Sequence, residues 1–200
     1  MDLSSLRSLR SNTLRAMEAF PACVETQENG CKIFACVYAS TSSTSSEDML
    51  PSPPGDELEK ITQCISRELY QKNNPSIETA ACSALRNFCL VISSSSSAPS
   101  SLPFKNEESR STIVDTLVGA MRMHHEELAV LEQASGALWA LCSTDQSGLL
   151  AFSSTKTSHN AMMDIALKSM EKIQKSIELQ TNCIGILWSF FSVQIWIDQC

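Results

Sequence analysis

The sequence predicts an all-α protein built from four similar helix pairs, on two observations. Glycine is scarce, with 6 among 200 residues, whereas chains made of many short strands need frequent turn residues. In addition, four segments of the chain align with one another without gaps, at a spacing of about fifty residues. These segments are TQENGCKIFACVYA from Thr26, IETAACSALRNFCL from Ile77, VLEQASGALWALCS from Val130 and LQTNCIGILWSFFS from Leu179.

Each aligned segment predicts the second helix of a pair, and the residues upstream of it predict the first. In the third copy, Ala134, Ala137, Leu138 and Leu141 follow the spacing of a single apolar helix face. One pair cannot bury such a face alone, so the pairs are expected to stack. The predicted pairs are about 4–39, 56–93, 108–143 and 159–195, and 40–55 and 93–105 are low-complexity, serine-rich loops.

The second-helix segments carry a family resemblance. EQASGALWALC, ETAACSALRNFC and QENGCKIFACV resemble the last helix of an armadillo repeat, which typically reads G-A-L-x-N-L-A. The resemblance implies a right-handed α-solenoid of about four armadillo-like repeats, with HEAT-like two-helix units as the alternative because inserted loops lengthen the spacing. It also implies a non-catalytic protein–protein interaction scaffold of the cytoplasm or nucleus, which uses the solenoid surface to bind other proteins or peptides.

Nuclear-import receptors of this type clamp basic peptides with ladders of Trp and Asn on successive helices. At the equivalent positions of this chain only Asn87 fits the pattern, so the import-receptor function is not expected. Arg86, Trp139 and Trp188 share one repeat position beside the apolar face. Because Arg and Trp are favoured binding anchors, these residues and Asn87 are candidate protein-binding residues. Packing between repeats is the other role, and the favoured one, for the shared position.

The end of the chain is unusually apolar. No charged residue lies between Leu179 and Ile197, and Trp196 stands where a terminal repeat normally carries a polar outer cap. The alternative function is therefore a structural oligomer, or a fragment of a longer array, that assembles through its C-terminal repeat. Self-association weakened by Trp196→Asp is the expected sign. The apolar part spans about fifteen residues, short of the roughly twenty that a membrane helix needs, so no membrane span is predicted.

The composition argues against catalysis and against nucleic-acid binding. The formal net charge is −7, and Lys and Arg do not cluster beyond the first fifteen residues or so, whereas phosphate contacts need clustered cations. The nine cysteines include no C-x-x-C pair and are interpreted as small buried residues in a reducing compartment, with disulfides or zinc as alternatives. The pair His124 and His125 is interpreted as polar residues at a helix C-terminus, which favour its dipole when protonated. No catalytic, cofactor or metal site is predicted.

The first residues permit a second interpretation. Arg7, Arg10 and Arg15 lie among serines and leucines, a composition that resembles an organellar transit peptide. Asp2 weakens that interpretation, and the repeat alignment requires the same stretch as a first helix. A cytoplasmic or nuclear protein is expected, with an organellar one as the alternative.

Overall fold

A computed structural model of the chain describes residues 3–41, 55–71, 74–94, 107–144 and 156–199. Eight helices and no strand occupy these ranges, which confirms the all-α prediction. Apart from a few residues at their margins, the serine-rich loops at 40–55 and 93–105 lie outside the described residues. The helices are α1 (Leu3–Ala19), α2 (Val24–Thr41), α3 (Gly55–Gln71), α4 (Pro75–Ser94), α5 (Glu107–Met123), α6 (Leu128–Thr144), α7 (Lys156–Lys172) and α8 (Ile177–Gln199).

Side chains just before α4 and α8 satisfy backbone groups at the helix start. The Asn74 Oδ1 atom accepts a 3.0 Å hydrogen bond from the amide of Ser76, and proline occupies the first helical position. The Ser176 Oγ atom accepts a 3.0 Å bond from the amide of Leu179. Glutamates in the first turns of α2, α4 and α8 complement the positive end of the helix dipole.

The helices pack in two rows. In one row α2, α4, α6 and α8 each contact the next, and in the other α3 contacts α5 and α5 contacts α7. Each first helix also packs on the second helix of its own pair. One apolar core runs through all four pairs, from Met17 and Phe34 to Leu179 and Ile186. Within the described ranges, no helix combines the length and the apolar character that crossing a membrane requires.

In two of the pairs, a glutamine near the start of the second helix donates hydrogen bonds to carbonyls at the C-terminus of the first helix. The Gln27 Nε2 atom donates hydrogen bonds of 2.9 and 3.0 Å to the carbonyls of Met17 and Phe20. Gln180 stands at the same place in the alignment and makes the same two bonds, at 2.9 and 3.1 Å, to carbonyls at the end of α7. Carbonyls at the end of a helix lack partners within the helix, and each glutamine supplies donors to two of them.

Replacing Gln180 by leucine tests these hydrogen bonds. Leu131 fills the equivalent position of the third pair, so leucine fits the space, but it donates no hydrogen bond. We expect the free energy of unfolding in urea to fall by about 1–3 kcal/mol. The exposed Gln174→Leu is the control and should change it by less than about 0.5 kcal/mol. Equal losses in the two variants would contradict this role.

A buried ion pair joins the first two pairs. The Arg10 guanidinium donates from Nε and Nη2 to the Glu57 carboxylate at 3.0–3.1 Å, and both side chains are buried. The Tyr38 hydroxyl donates to the same carboxylate, and the Arg10 guanidinium lies 5.8 Å from the centre of the Tyr38 ring. Burial, and then the nearby Glu57 charge, raise the pKa of Tyr38 far above its ordinary value, so the phenol remains a neutral donor.

Removing one charge of this pair should lower the free energy of unfolding more than removing both. Arg10→Met leaves the Glu57 carboxylate buried without a counter-ion, and we expect unfolding in urea to require about 3–5 kcal/mol less free energy. The double variant Arg10→Met with Glu57→Leu should recover part of that loss, although Tyr38 then lacks its acceptor. A double variant less stable than Arg10→Met alone would show that the charges do not act as a pair.

Candidate protein-binding surfaces

An open groove with a volume of about 570 Å³ crosses the row of second helices at α2, α4 and α6. Small residues make up most of its lining, and they leave room for a ligand backbone to approach the helices. Lys32, Gln133 and Glu127 are its longer polar side chains. The small lining residues are Ala35, Cys36, Ser76, Thr79, Ala80, Ser83 and Ala129.

A short polar network fixes one side of the groove. The Lys32 ammonium and the Ser76 hydroxyl both donate to Glu28 Oε1, the latter at 2.7 Å, which connects α2 to the start of α4. The bond from Lys32, and then that from Ser76, lower the pKa of Glu28. The carboxylate is therefore held in its charged form, and it pairs with the Lys32 ammonium beside the groove.

Beyond the groove, the second helices interlock through large side chains that lie on glycines. Arg86 of α4 crosses Gly136 of α6, where a Cβ atom would lie 2.8 Å from the Arg86 Nε atom. Trp139 of α6 crosses Gly185 of α8, where a Cβ atom would lie 2.6 Å from Cδ1 of the indole. Arg86 and Trp139 are equivalent in the sequence alignment, and so are the two glycines. The same contact is therefore made twice, each time onto the next pair.

The candidate binding residues occupy different environments. Arg86 also forms an ion pair with Glu178 at the start of α8, so it connects three successive second helices. The Asn87 amide donates a 2.9 Å hydrogen bond to the Ala35 carbonyl of α2 and thereby joins the first two pairs. Trp139 is only partly exposed, whereas Trp188 is largely exposed. Trp196 lies within α8, and its side chain is outside the described ones.

His124 directly follows the end of α5, as the sequence predicted, but it has a buried partner that the sequence analysis missed. Its side chain is buried, and its Nε2 atom contacts the Glu78 carboxylate of α4, which is fully buried. Burial lowers the pKa of His124, and the nearby Glu127 charge opposes that shift. Glu78 stands at the alignment position of Gln27 and Gln180. A charged residue at a position that holds glutamine or leucine in the other pairs was the signal for this contact.

Most of the described cysteines are buried free thiols, as the composition predicted, but Cys23 and Cys36 are exposed. Burial raises the pKa of the Cys89, Cys142 and Cys183 thiols to about 12. These thiols therefore stay protonated and are poor nucleophiles or metal ligands. Over the described ranges, no group of His, Cys, Asp and Glu has the arrangement of a metal site.

Comparisons with protein-family models, with curated proteins and with solved structures gave no match. The class of the protein therefore follows from the structure alone, as an all-helical protein in which the second helices of successive pairs pack against one another.

The two glycine contacts should respond differently to an added methyl group. In Gly136→Ala the flexible end of Arg86 moves aside, so the free energy of unfolding should stay equal or rise by up to about 1 kcal/mol through better helix propensity. In Gly185→Ala the rigid indole of Trp139 must leave the helix, and overpacking should lower stability by about 1–3 kcal/mol. The measurements are urea unfolding and tryptophan fluorescence. A Gly185→Ala protein with wild-type stability and emission would contradict the contact.

Proposed function

We propose that the eight helices are four armadillo-like repeats of a right-handed α-solenoid, and that the chain is a non-catalytic scaffold that binds other proteins or peptides. Recurrence of the same contacts from pair to pair supports the repeat assignment. The glutamine hydrogen bonds recur at Gln27 and Gln180, and the side-chain-on-glycine contact recurs at Gly136 and Gly185. In both cases the residues that make the contact in one pair align in the sequence with the residues that make it in another.

The observation that carries the binding role is the groove across α2, α4 and α6. It crosses three consecutive pairs, which suits an extended peptide rather than a compact small molecule. Its small side chains allow close approach, and Lys32 and Glu127 supply one charge of each sign. We therefore expect an extended segment with small or apolar side chains and a polar flank as the ligand, with the shape of the groove contributing more than charge.

The protonated buried thiols support a role without catalysis, because nucleophilic chemistry needs an activated thiol or hydroxyl beside a base. Free buried thiols also suit a reducing compartment, which supports a cytoplasmic or nuclear location. The net charge of −7 supports protein rather than nucleic acid as the partner.

Selection of peptides from a random displayed library against the whole chain tests the groove. Ser83 lies in the groove on α4, and Ser83→Arg places a long side chain into it. We expect selected peptides to bind the wild-type chain and to lose about tenfold or more in affinity for Ser83→Arg. Titration of each peptide by fluorescence anisotropy measures this.

Asn12→Arg is the matched control, since it adds the same charge on the exposed face of α1, away from the groove. Its affinity for the peptides should equal that of the wild type. Failure to select any peptide, or peptides that bind Ser83→Arg as tightly as the wild type, would count against the groove as the binding surface.

A further inference from the structure

The first helix of the second pair, α3, carries two cations at positions that are buried in the later pairs. When the alignment of the second helices is continued upstream without gaps, four positions of α3 correspond to buried positions in both α5 and α7. The buried residues are Ile113, Thr116, Leu117 and Ala120 in α5, and Met162, Ile165, Ala166 and Ser169 in α7. The same positions of α3 hold Lys60, Gln63, Cys64 and Arg67, of which only Cys64 is buried. One face of α3 therefore departs from the repeat pattern, and such local departures are expected at functional sites.

A cavity with a volume of about 120 Å³ lies at this face of α3. All four of the α3 residues line it, together with Pro21 from the turn between α1 and α2, Gln27 from α2 and Ile77 from α4. The cavity therefore lies where the first two pairs meet. Its buried polar side chains bond to each other, since the Cys64 thiol donates a 3.2 Å hydrogen bond to the Gln27 Oε1 atom.

The charges at the cavity are positive. Lys60 and Arg67 are half-buried, and the Arg67 guanidinium donates to the Pro21 carbonyl, which holds it beside the cavity. Within the described ranges, Lys60 forms no ion pair, and no carboxylate lines the cavity. Glu59 is exposed on α3, where its Oε1 atom accepts a 3.0 Å hydrogen bond from the Gln63 amide. The cavity is thus a positively charged site in a chain whose net charge is −7.

Two positive charges at one cavity match a dianion. A phosphate monoester carries a charge of about −1.5 to −2 at neutral pH and offers three strong acceptor oxygens, whereas a carboxylate carries a single charge. Guanidinium and ammonium groups both bind phosphate well. The cavity is smaller than the pockets of about 300–1,000 Å³ that hold whole small molecules. It therefore has room for a phosphoryl group and the atoms next to it, while the rest of the ligand lies outside.

We propose that this cavity binds the phosphoryl group of a phosphorylated side chain on another protein, with Lys60 and Arg67 as the binding residues. A polypeptide is a ligand whose bulk stays outside the cavity, as the small volume requires. Attachment at this site then depends on the phosphorylation state of the partner. The cavity shares no lining residue with the groove across α2, α4 and α6, so the proposal does not rest on peptide binding in that groove.

NMR titration of the whole isotope-labelled chain, in a buffer without phosphate, tests the site. The probe is N-acetyl-phosphoserine methylamide, whose blocked ends leave the phosphoryl group as its only charge. We expect saturable shifts of the backbone amide signals from Lys60 to Arg67 and of Ile77, and no shifts with the blocked serine. Lys60→Gln and Arg67→Gln should each raise the dissociation constant by about fivefold or more. Lys60 bonds to no described group, so Lys60→Gln should keep the wild-type melting temperature even if Arg67→Gln does not.

Lys175→Gln is the matched control, because it removes one positive charge from an exposed position in the turn before α8. Its dissociation constant should equal that of the wild type. The absence of saturable shifts at the cavity, equal weakening by Lys175→Gln, or a blocked glutamate that binds as tightly as the blocked phosphoserine would overturn the proposal. Inorganic phosphate identifies the source of the phosphoryl group. Binding no tighter than that of the blocked phosphoserine supports a protein-borne group, whereas binding about tenfold tighter would assign the cavity to free phosphate and overturn the proposal.

Discussion

The structure depends on one constraint, which is that the inner second helices α4 and α6 have to be covered by a neighbouring second helix on two opposite sides. Helices α4 and α6 meet this requirement inside the chain, because each lies between two neighbours of the same row. The first helices cover the remaining apolar surface of their own pairs. Stability is then shared between pairs and the contacts that join them, as in other stacked helical proteins.

The contacts between neighbouring pairs are more specific than apolar burial alone. Glycine at Gly136 and Gly185 lets a large side chain of the preceding pair lie directly on the helix backbone. The Asn87 amide bonds to a backbone carbonyl of the preceding second helix, and Asn182 does the same across the last interface. Because hydrogen-bond distances and angles are satisfied only when the two helices are aligned at one position along their axes, these bonds fix the register of successive helices. A groove of defined shape across the row follows from that fixed register.

The all-helical architecture could be predicted from the sequence because the four segments align without gaps and share one apolar period. The alignment also identified which residues are equivalent, and the two glycine contacts are made by equivalent residues. It could not identify partners across pairs. The contact of His124 with Glu78 and the ion pair of Arg10 with Glu57 join residues 46 and 47 positions apart, and which pairs meet depends on the angle between helices. The shape of the groove also depends on the angle between helices. Small residues such as Ser83, which line it, do not indicate a binding site in the sequence by themselves.

The central claim is that the pairs stack in series, so that α4 and α6 are covered on both sides while α2 and α8 lie at the ends. Hydrogen exchange measured by mass spectrometry, on protein dilute enough to be monomeric, tests this most directly, because stacked helical proteins open from their ends. The account predicts the slowest backbone exchange in α4 and α6 and faster exchange in α2 and α8. Protection in α8 equal to that in α4 under these conditions would contradict it.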